Sequence, residues 1–373
     1  MTPEPRGAPA QERVDRVAVG AFTIPTDEPE ADGTFAWDST TMVLVEAVSG
    51  GLTGIGWSYA PAACADLARD LLAPLVAGTP VAEPGRSWGA MVDAVRNVGR
   101  AGVAAAAISA VDLALWDLHA RTLGVPLHQL LGPRRDAVPV YGSGGFTTYD
   151  EARLERQLQE WLAAGIGHVK IKIGEDHGRC VPRDLARTRQ VRRTVGDEVG
   201  VMVDANGGYR EQQALEVARA LEQLGVEWFE EPVTSDDLPG LHRLRERTRL
   251  EVAAGEYGYD LAYFHRMCAA DAVDCLQVDV TRCGGITEWL RIAAVAAACH
   301  LDVSAHCAPN AGLAVACATP NFRHQEWFHD HVRIESMLFD GAATAAGGVA
   351  RPAAAPGTGL TFKHADAERF RVR

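Results

Sequence analysis

Short apolar segments recur along most of this sequence, and they constrain its fold more than any other feature. From residue 138 onward they come roughly every 25–35 residues with helical segments between them, as parallel β/α units require. The segments span residues 138–142, 168–174, 200–206, 226–232, 251–256, 275–280, 301–307 and, less clearly, 324–329. About eight such strands predict a closed parallel barrel of the TIM type. The alternative, a doubly wound open sheet, would usually carry a glycine-rich nucleotide loop after its first strand, and GSGGF at 142–146 is a weak match.

The segments on either side of this array have a different pattern. Residues 13–135 begin with three strand patterns, of which the last two form a hairpin at Gly50–Gly51, and continue as helices. A polar loop at 25–39 is expected between the first two strands. We therefore divide the chain into a loose tail (1–12), an α+β domain (13–135), a barrel (136–335) and a C-terminal segment (336–373) that packs elsewhere.

Charge and composition argue against several classes of function. The net charge of −13 and the scattered arginines offer no basic face to a nucleic acid. The N-terminus carries acids and prolines without an apolar core, which is unlike a secretory signal, and we expect no membrane-spanning segment. Eight cysteines without a C-x-x-C pair indicate reduced thiols in the cytoplasm.

Three of the predicted barrel strands end in a carboxylate, namely Asp204, Glu230 and Glu256. In a parallel barrel these strand ends open onto one face, where active sites lie. Three hard oxygen ligands suit a divalent cation, and Mg²⁺ is preferred because no cysteine or histidine stands at these positions. Any one of the three could instead cap a helix or form a turn, but three in register predict a metal site.

The next three strands also end in polar residues. Asp279 and His306 follow two successive strands, and Glu326 lies in the final segment. A carboxylate and an imidazole on adjacent strand ends can form a dyad, in which Asp279 orients the ring of His306 and raises its basicity. Taken alone, His306 is more simply a core histidine bonded to a carbonyl group.

The chain has only three lysines, Lys170, Lys172 and Lys363, among 36 basic residues. Two of them lie one residue apart on a predicted strand, so both side chains point to one face while Val169 and Ile171 point to the other. Inside a barrel, two adjacent ammonium groups near a dication would lower each other's pKa. A partly neutral lysine can be a general base, which arginine cannot. The alternative is an edge-strand pair whose charged ends reach water.

In this set of residues the chain resembles the enolase superfamily, and within it the mandelate racemase subgroup. The resemblance covers nearly the whole chain. It implies an N-terminal α+β capping domain, a modified (β/α)7β barrel and a C-terminal segment that returns to the cap. It also implies Mg²⁺ bound by the three carboxylates, Lys172 as a base with Lys170 as its electrostatic neighbour, and Asp279–His306 as the catalytic dyad.

The resemblance implies further contacts with a substrate. Glu326 would hydrogen-bond the substrate carboxylate, and Asn206 would contact the metal-bound end of the substrate. Cap loops around Thr34–Asp38 and Trp57–Tyr59 would close over it. The candidate wall residues and hydroxyl contacts are Trp37, Trp57, Tyr59, Tyr141 and Ser143. The three aromatic residues of the cap are equally well explained by ordinary packing.

The implied activity is removal of the proton α to the carboxylate of a small molecule, by Lys172 on one face and His306 on the other. The family uses this pair for two reactions. Dehydration of an acid sugar to a 2-keto-3-deoxy acid, a lyase reaction of carbohydrate catabolism, is the commoner and is our leading hypothesis. Racemisation or epimerisation of a 2-hydroxy acid, an isomerase reaction, is the runner-up, and a catalytically inactive barrel is a third possibility. A homo-oligomer is expected by the same analogy.

Overall fold

A computed structural model describes residues 12–373, so the expected tail at 1–12 lies almost wholly outside the described residues. The described chain begins with an antiparallel sheet of three strands, β1 (Arg16–Ala31), β2 (Ala36–Ser49) and β3 (Leu52–Tyr59). β2 and β3 form the predicted hairpin, whose turn residues Gly50 and Gly51 have φ angles of 55° and 81°. Glycine takes such angles without the strain that a Cβ atom imposes.

The polar loop expected at residues 25–39 is mostly strand, which corrects the sequence prediction. β1 continues to Ala31, and its pairing with β2 shifts register between Pro25 and Glu30. This irregularity takes up the extra polar residues without ending the strand. Only residues 32–35 connect the two strands.

Five helical segments complete the capping domain. They are α1 (Ala63–Leu67), which continues through a π-helical turn into α2 (Ala73–Val76), then α3 (Pro84–Ala94), α4 (Val103–Thr122) and α5 (Leu127–Leu130). In the described chain, α4 alone is long and apolar enough to cross a membrane by length and composition, and 83% of that window is buried within the protein. A Cβ atom at Gly56 of β3 would lie 2.2 Å from the Ala110 carbonyl oxygen, so glycine allows α4 to pack directly on the sheet.

The predicted barrel is confirmed, because all eight apolar segments form parallel strands that close into a ring. The strands are β4 (Val138–Gly144), β5 (His168–Lys172), β6 (Gly200–Asp204), β7 (Val226–Glu230), β8 (Glu251–Ala254), β9 (Cys275–Val278), β10 (Asp302–Ala305) and β11 (Phe322–Phe328). They pair in chain order, and β11 pairs with β4 to close the barrel. The helices that follow them are α6 (Glu151–Ala163), α7 (Glu175–Gly178), α8 (Val181–Val195), α9 (Glu211–Glu222), α10 (Leu238–Arg245), α11 (Leu261–Ala269), α12 (Gly285–Ala298), α13 (Pro309–Ala318) and α14 (His329–Leu338).

Side chains alternate between the two faces of each barrel strand. On β5, Val169 and Ile171 belong to the main hydrophobic core, whereas Lys170 and Lys172 point to the barrel interior, as predicted. A separate apolar cluster also fills the interior and consists of Tyr141, Met202, Trp228, Ala253 and Cys275. The barrel is therefore a packed core with its polar groups gathered near the strand ends.

The C-terminal segment returns to the cap. Its short strands are β12 (Phe339–Asp340), β13 (Val349–Ala350) and β14 (Thr361–Phe362), and a short helix α15 (His364–Ala367) follows. β12 pairs with β14, and β13 pairs with β4. The Val372 N–H donates a 2.8 Å hydrogen bond to the Ala21 carbonyl oxygen of β1. The domain boundaries at 135/136 and 335/336 stay predictions.

Candidate active site

The three predicted metal ligands meet at the carboxyl end of the barrel. Asp204 ends β6, Glu230 ends β7, and Glu256 follows β8 after a single glycine. Each offers one carboxylate oxygen, and the three buried oxygens lie within 4.8 Å of one another. Gly255 has a φ angle of 134°, and a Cβ atom there would lie 2.3 Å from the Gln277 carbonyl oxygen. Glycine at this position therefore allows the turn that brings Glu256 to the other two.

Both lysines of β5 contact these carboxylates. Lys170 Nζ lies 2.5 Å from Glu230 Oε1 and 2.8 Å from Glu326 Oε1. Lys172 Nζ donates a hydrogen bond to Asp204 Oδ2. Burial alone would lower the pKa of each ammonium group, but the surrounding carboxylates outweigh burial and raise both pKa values. The lowered pKa expected from the sequence included a bound dication, whereas the raised pKa values reflect the protein groups alone, so that expectation stays a prediction.

The arrangement of oxygen atoms fits a hard divalent cation. Asn206 Oδ1 is buried and accepts no hydrogen bond, so it has a free lone pair for a bound group, whereas Glu256 Oε2 lies 3.3 Å from His306 Nε2. Burial and the neighbouring Asp204 carboxylate raise the pKa of Glu230 to about 8. A cation held among the three carboxylates would relieve that repulsion. Because the group consists of carboxylates alone, it suits Mg²⁺ better than a soft metal.

Asp279 and His306 form a hydrogen-bonded pair next to the carboxylates. His306 Nδ1 lies 2.8 Å from Asp279 Oδ2, and Asp279 Oδ1 accepts hydrogen bonds of 2.7 Å from both the N–H and the hydroxyl of Thr281. The other ring nitrogen, Nε2, lies 3.3 Å from Glu256 Oε2. Burial acts to lower the pKa of His306, but the acidic groups around the ring raise it well above its ordinary value. The imidazole is therefore a proton donor in this environment.

Glu326 accepts hydrogen bonds from every side. Its Oε1 accepts a 2.6 Å hydrogen bond from the Ser143 hydroxyl and pairs with Lys170, and its Oε2 accepts a 2.7 Å hydrogen bond from the Cys307 N–H. Burial opposes ionisation, but Lys170 keeps the pKa of Glu326 well below its ordinary value. An ionised Glu326 has no proton for the hydrogen bond to a substrate carboxylate that the resemblance implies. It holds Lys170 in place through the 2.8 Å contact, and its hydrogen bond to a substrate stays a prediction.

Tyr141 and Ser143 contact Lys170 and Glu326, and the contacts with substrate hydroxyls expected of both residues stay predictions. Both residues are fully buried, and neither lines the cavity at the barrel mouth. The Tyr141 hydroxyl lies 3.5 Å from Lys170 Nζ, and the Ser143 hydroxyl binds Glu326. They lie on β4, the strand beside β5, so their side chains reach the lysine from within the barrel.

A cavity of about 500 Å³ lies between the barrel mouth and the cap. On the barrel side it is lined by Lys172, Asn206, Glu256 and His306, so a base, an acid and a candidate metal ligand face the same space. Lys172 ends β5 and His306 follows β10, and these strands are not neighbours in the ring. The two side chains therefore reach the cavity from different sides. The cap side is lined by Asp32, Thr34, Phe35, Trp37, Ser39, Thr40, Thr41, Tyr59, Ala60 and Pro61.

Two of the three aromatic cap residues reach this cavity. Trp37 lines it and donates a 2.8 Å hydrogen bond from Nε1 to Glu30 Oε2, and Tyr59 lines it at the end of β3. The substrate contact expected of Trp57 stays a prediction, although this residue does not line the cavity. It lies on the same face of β3 as Tyr59 but deeper, where its Nε1 donates a 3.2 Å hydrogen bond to Glu335. The alternation of side chains along β3 predicts that Trp57 and Tyr59 share a face, but it cannot predict how deeply each residue is buried.

Several cavity residues were not predicted from the sequence. Arg282 lies with Nη1 3.7 Å from Glu256 Oε1 and packs its guanidinium group over the ring of Tyr257. Asp32 and His331 also line the cavity. Each of the four residues lies in a loop after a strand or in the first turn of the next helix. That position is itself a signal, because barrel active sites are built from such loops.

The fold and the site together define a capped parallel β/α barrel whose mouth holds a carboxylate cation site bordered by a lysine and a histidine. Two family models match the chain. The model described as enolase C-terminal domain-like matches residues 153–367, and the N-terminal domain model of mandelate racemase / muconate lactonizing enzyme matches residues 24–132. The chain belongs to the mandelate racemase / muconate lactonizing enzyme family of the enolase superfamily, as its resemblance implied.

Individual relatives agree with this assignment. The L-talarate/galactarate dehydratase of Salmonella typhimurium is 31% identical over 303 residues, which are 78% of this chain and 74% of the relative. A mandelate racemase/muconate lactonizing enzyme-like protein from Rubrobacter xylanophilus has a structure with a TM-score of 0.94 and 46% identity, covering 96% of this chain and 100% of its own. A racemase from Streptomyces coelicolor with bound magnesium has a TM-score of 0.91 and 28% identity over 96% and 100% of the two chains.

Proposed function

We propose that this protein is a magnesium-dependent lyase that dehydrates an acid sugar to a 2-keto-3-deoxy acid. The first step is removal of the proton α to the substrate carboxylate. The observation that carries the proposal is that Lys172 and His306 face one cavity from different sides, next to the carboxylate cluster. The relative from Salmonella typhimurium that is named a dehydratase supports the choice of reaction.

We assign Asp204, Glu230 and Glu256 as the ligands of Mg²⁺. When bound, the cation supplies positive charge to the substrate carboxylate and to Asp204, the carboxylate that raises the pKa of Lys172. The three buried carboxylate oxygens, which lie within 4.8 Å of one another, support this assignment. So does the racemase relative whose structure contains magnesium.

In this proposal Lys172 is the base. Its Nζ, in the uncharged form, takes the proton from the carbon α to the carboxylate, and the electron pair of that C–H bond moves toward the carboxylate. Lys170 does not line the cavity, so its positive charge acts on the developing negative charge from the barrel interior, where Glu230 and Glu326 hold the ammonium group and no rearrangement is needed.

His306 is the acid. Its ring donates the Nε2 proton to the hydroxyl group on the β-carbon, the C–O bond breaks, and water leaves. The resulting enol then tautomerises to the 2-keto acid. The raised pKa of His306 keeps the required proton on the ring, and Asp279 holds the ring in place. Asn206, which lines the cavity and whose side-chain oxygen accepts no hydrogen bond, is assigned to contact the metal-bound end of the substrate.

A racemase or epimerase of a 2-hydroxy acid is the second candidate, and the same pair of residues favours it. If His306 returns a proton to the α-carbon from its own side, the configuration inverts and no water is lost. A catalytically inactive barrel is the remaining alternative. The complete set of ionisable groups around one cavity argues against it.

A panel of aldonic and aldaric acids, incubated with the protein in Mg²⁺ and assayed for 2-keto acids, tests the proposal. Keto-acid formation that stops with a chelator and returns with Mg²⁺ is the expected result. If recovered substrate carried solvent deuterium at its α-carbon and no keto acid formed, the result would favour racemisation over dehydration. If Lys172→Ala and His306→Asn variants matched the wild type in both assays, the inactive barrel would be the better account.

We further propose that the enzyme acts in carbohydrate catabolism in the cytoplasm, as a homo-oligomer. All eight cysteines lie within the described residues and none forms a disulfide, which supports a reducing compartment. The relative named an L-talarate/galactarate dehydratase supports a metabolic role. Size-exclusion chromatography with light scattering tests the oligomeric state, and a monomer would contradict that part of the proposal.

A further inference from the structure

The cavity has an uneven distribution of charge between its two walls. The lysine and the arginine that line it, Lys172 and Arg282, both belong to the barrel wall. A substrate carboxylate at the proposed Mg²⁺ site lies at that wall, and so the opposite end of the substrate faces the cap. The charge at the cap wall therefore decides which group that end can carry.

Within the described residues, the cap wall offers no positive charge. Its polar groups are the hydroxyls of Thr34, Ser39, Thr40, Thr41 and Tyr59 and the Trp37 indole, and its remaining surface is apolar. The single charged residue is Asp32, whose Oδ1 accepts hydrogen bonds from the N–H groups of Thr34 at 2.6 Å and Phe35 at 2.8 Å. A second carboxylate on the substrate would meet an anion and hydroxyl groups there, and the cation that acts on Asp32 is Lys172, which belongs to the barrel wall.

The nearest arginines do not supply that missing charge. Arg282 is already shared between two barrel carboxylates, with Nη1 3.7 Å from Glu256 Oε1 and Nε 3.5 Å from Asp279 Oδ2. Arg183 lies across the Asp32–Phe35 turn in a neighbouring cavity, where it pairs with Glu175. Both guanidinium groups therefore have acidic partners of their own.

We infer that the cavity selects polyhydroxy acids with one carboxylate and rejects those with a carboxylate at each end, and that Asp32 accepts a hydrogen bond from a substrate hydroxyl. This inference rests on the proposed function for the orientation of the substrate. It names aldonic acids, whose far end is a neutral alcohol, as the substrate class. Aldaric acids of the same configuration are the excluded class.

The experiment compares aldonic acids with aldaric acids of matched chain length and configuration, using the magnesium-loaded full-length protein. For at least one configuration, kcat/KM for the aldonate should exceed that for the aldarate by about 100-fold, the scale set by one charge left without a partner in a cavity. Equal or better use of the aldarates would overturn the inference and leave the proposed dehydration standing.

Binding separates the two proposals if no acid is turned over. Calorimetric titration of the magnesium-loaded Lys172→Ala variant with both classes measures selection without chemistry. Tighter binding of aldonates would support the inference although dehydration had failed, and tighter or equal binding of aldarates would overturn it.

Two variants test the residues directly. Asp32→Asn should raise KM for aldonates about tenfold, whereas Asp38→Asn, an exposed carboxylate nearby that does not line the cavity, should change it less than about twofold. Ser39→Arg, which adds a cation to the cap wall, should improve the kcat/KM ratio of aldarates to aldonates by about tenfold or more. An unchanged KM in Asp32→Asn would remove Asp32 from the inference, and an unchanged ratio in a folded Ser39→Arg would refute its electrostatic basis.

Discussion

Replacing Lys170 by methionine tests the charge balance on which the site depends. The ammonium group is fully buried, 2.5 Å from Glu230 and 2.8 Å from Glu326, with Asp204 at 4.0 Å. Methionine fills similar space but leaves these carboxylates without their nearest cation. Removing one partner of a buried ion pair costs about 3–5 kcal/mol. At this chain length that loss corresponds to a fall in melting temperature of about 6–10 °C, since roughly 2 °C accompanies each kcal/mol in larger domains.

The assay is thermal unfolding in chelator and again across a series of Mg²⁺ concentrations. The fall in melting temperature caused by Lys170→Met should be largest in chelator. It should become smaller as the Mg²⁺ concentration rises, because a cation bound at Asp204 and Glu230 supplies part of the missing charge. Lys363→Met is the matched control. Its Nζ donates a 3.2 Å hydrogen bond to the Ser336 carbonyl oxygen at the surface, so its melting temperature should change by about 2 °C or less.

Two results would refute this reasoning. If Lys170→Met melted within about 2 °C of the wild type in chelator, the carboxylates would not depend on this ammonium group. If its deficit stayed constant from chelator to saturating Mg²⁺, the cation would not share the carboxylates that Lys170 contacts. Either result would also weaken the assignment of Lys170 as the group that stabilises charge during catalysis.

Three further predictions concern catalysis, packing and pH. The Lys172→Ala and His306→Asn variants should each lose keto-acid formation by about 10²–10⁴-fold in initial-rate assays while keeping the wild-type circular dichroism spectrum; near-normal rates would contradict their roles. Gly56→Ala should destabilise the protein by about 1–3 kcal/mol in urea unfolding, because its Cβ would lie 2.2 Å from a backbone oxygen. Gly89→Ala in α3 has open space around the new Cβ, so its free energy of unfolding should be unchanged or rise by up to about 1 kcal/mol. Equal losses of stability in the two variants would contradict the packing argument. Burial raises the pKa of Glu30 to about 9, so between pH 5 and 9 the folded state keeps a proton that the unfolded state releases, and stability falls as pH rises. Glu30→Gln should lose less stability over this range, and parallel curves of melting temperature against pH would disprove the shift.

The barrel strands could be predicted because buried parallel strands are short, apolar and regularly spaced. Their polar ends could be predicted for a related reason. When parallel strands close into a ring, their carboxyl ends lie together, so Asp204, Glu230 and Glu256 had to approach one another once the strands were correct. The same argument brought Asp279 next to His306. Local pattern and topology together were sufficient for these residues.

The features that could not be predicted from the sequence depend on how deeply a side chain is buried and on the combined charge of groups from several strands. Trp57 and Tyr59 share a face of β3, and only the packing of the cap on the barrel decides which of them reaches the cavity. The pKa of Lys172 depends on carboxylates from several strands, whose combined effect exceeds that of the neighbouring ammonium group. Tyr141 and Ser143 were assigned to the right strand end, but their direction toward Lys170 and Glu326 needed three-dimensional coordinates.

The distribution of lysines has a practical consequence for chemical labelling. Lys170 is enclosed in the barrel and Lys172 is buried at the wall of the cavity, whereas the amine of Lys363 lies at the outer surface. Among the three lysines, amine-directed reagents such as activated esters should therefore react fastest at Lys363 in the native state. A fluorophore or surface linker could be conjugated at a nearly unique point, on the C-terminal segment and away from the barrel mouth, without introducing a cysteine.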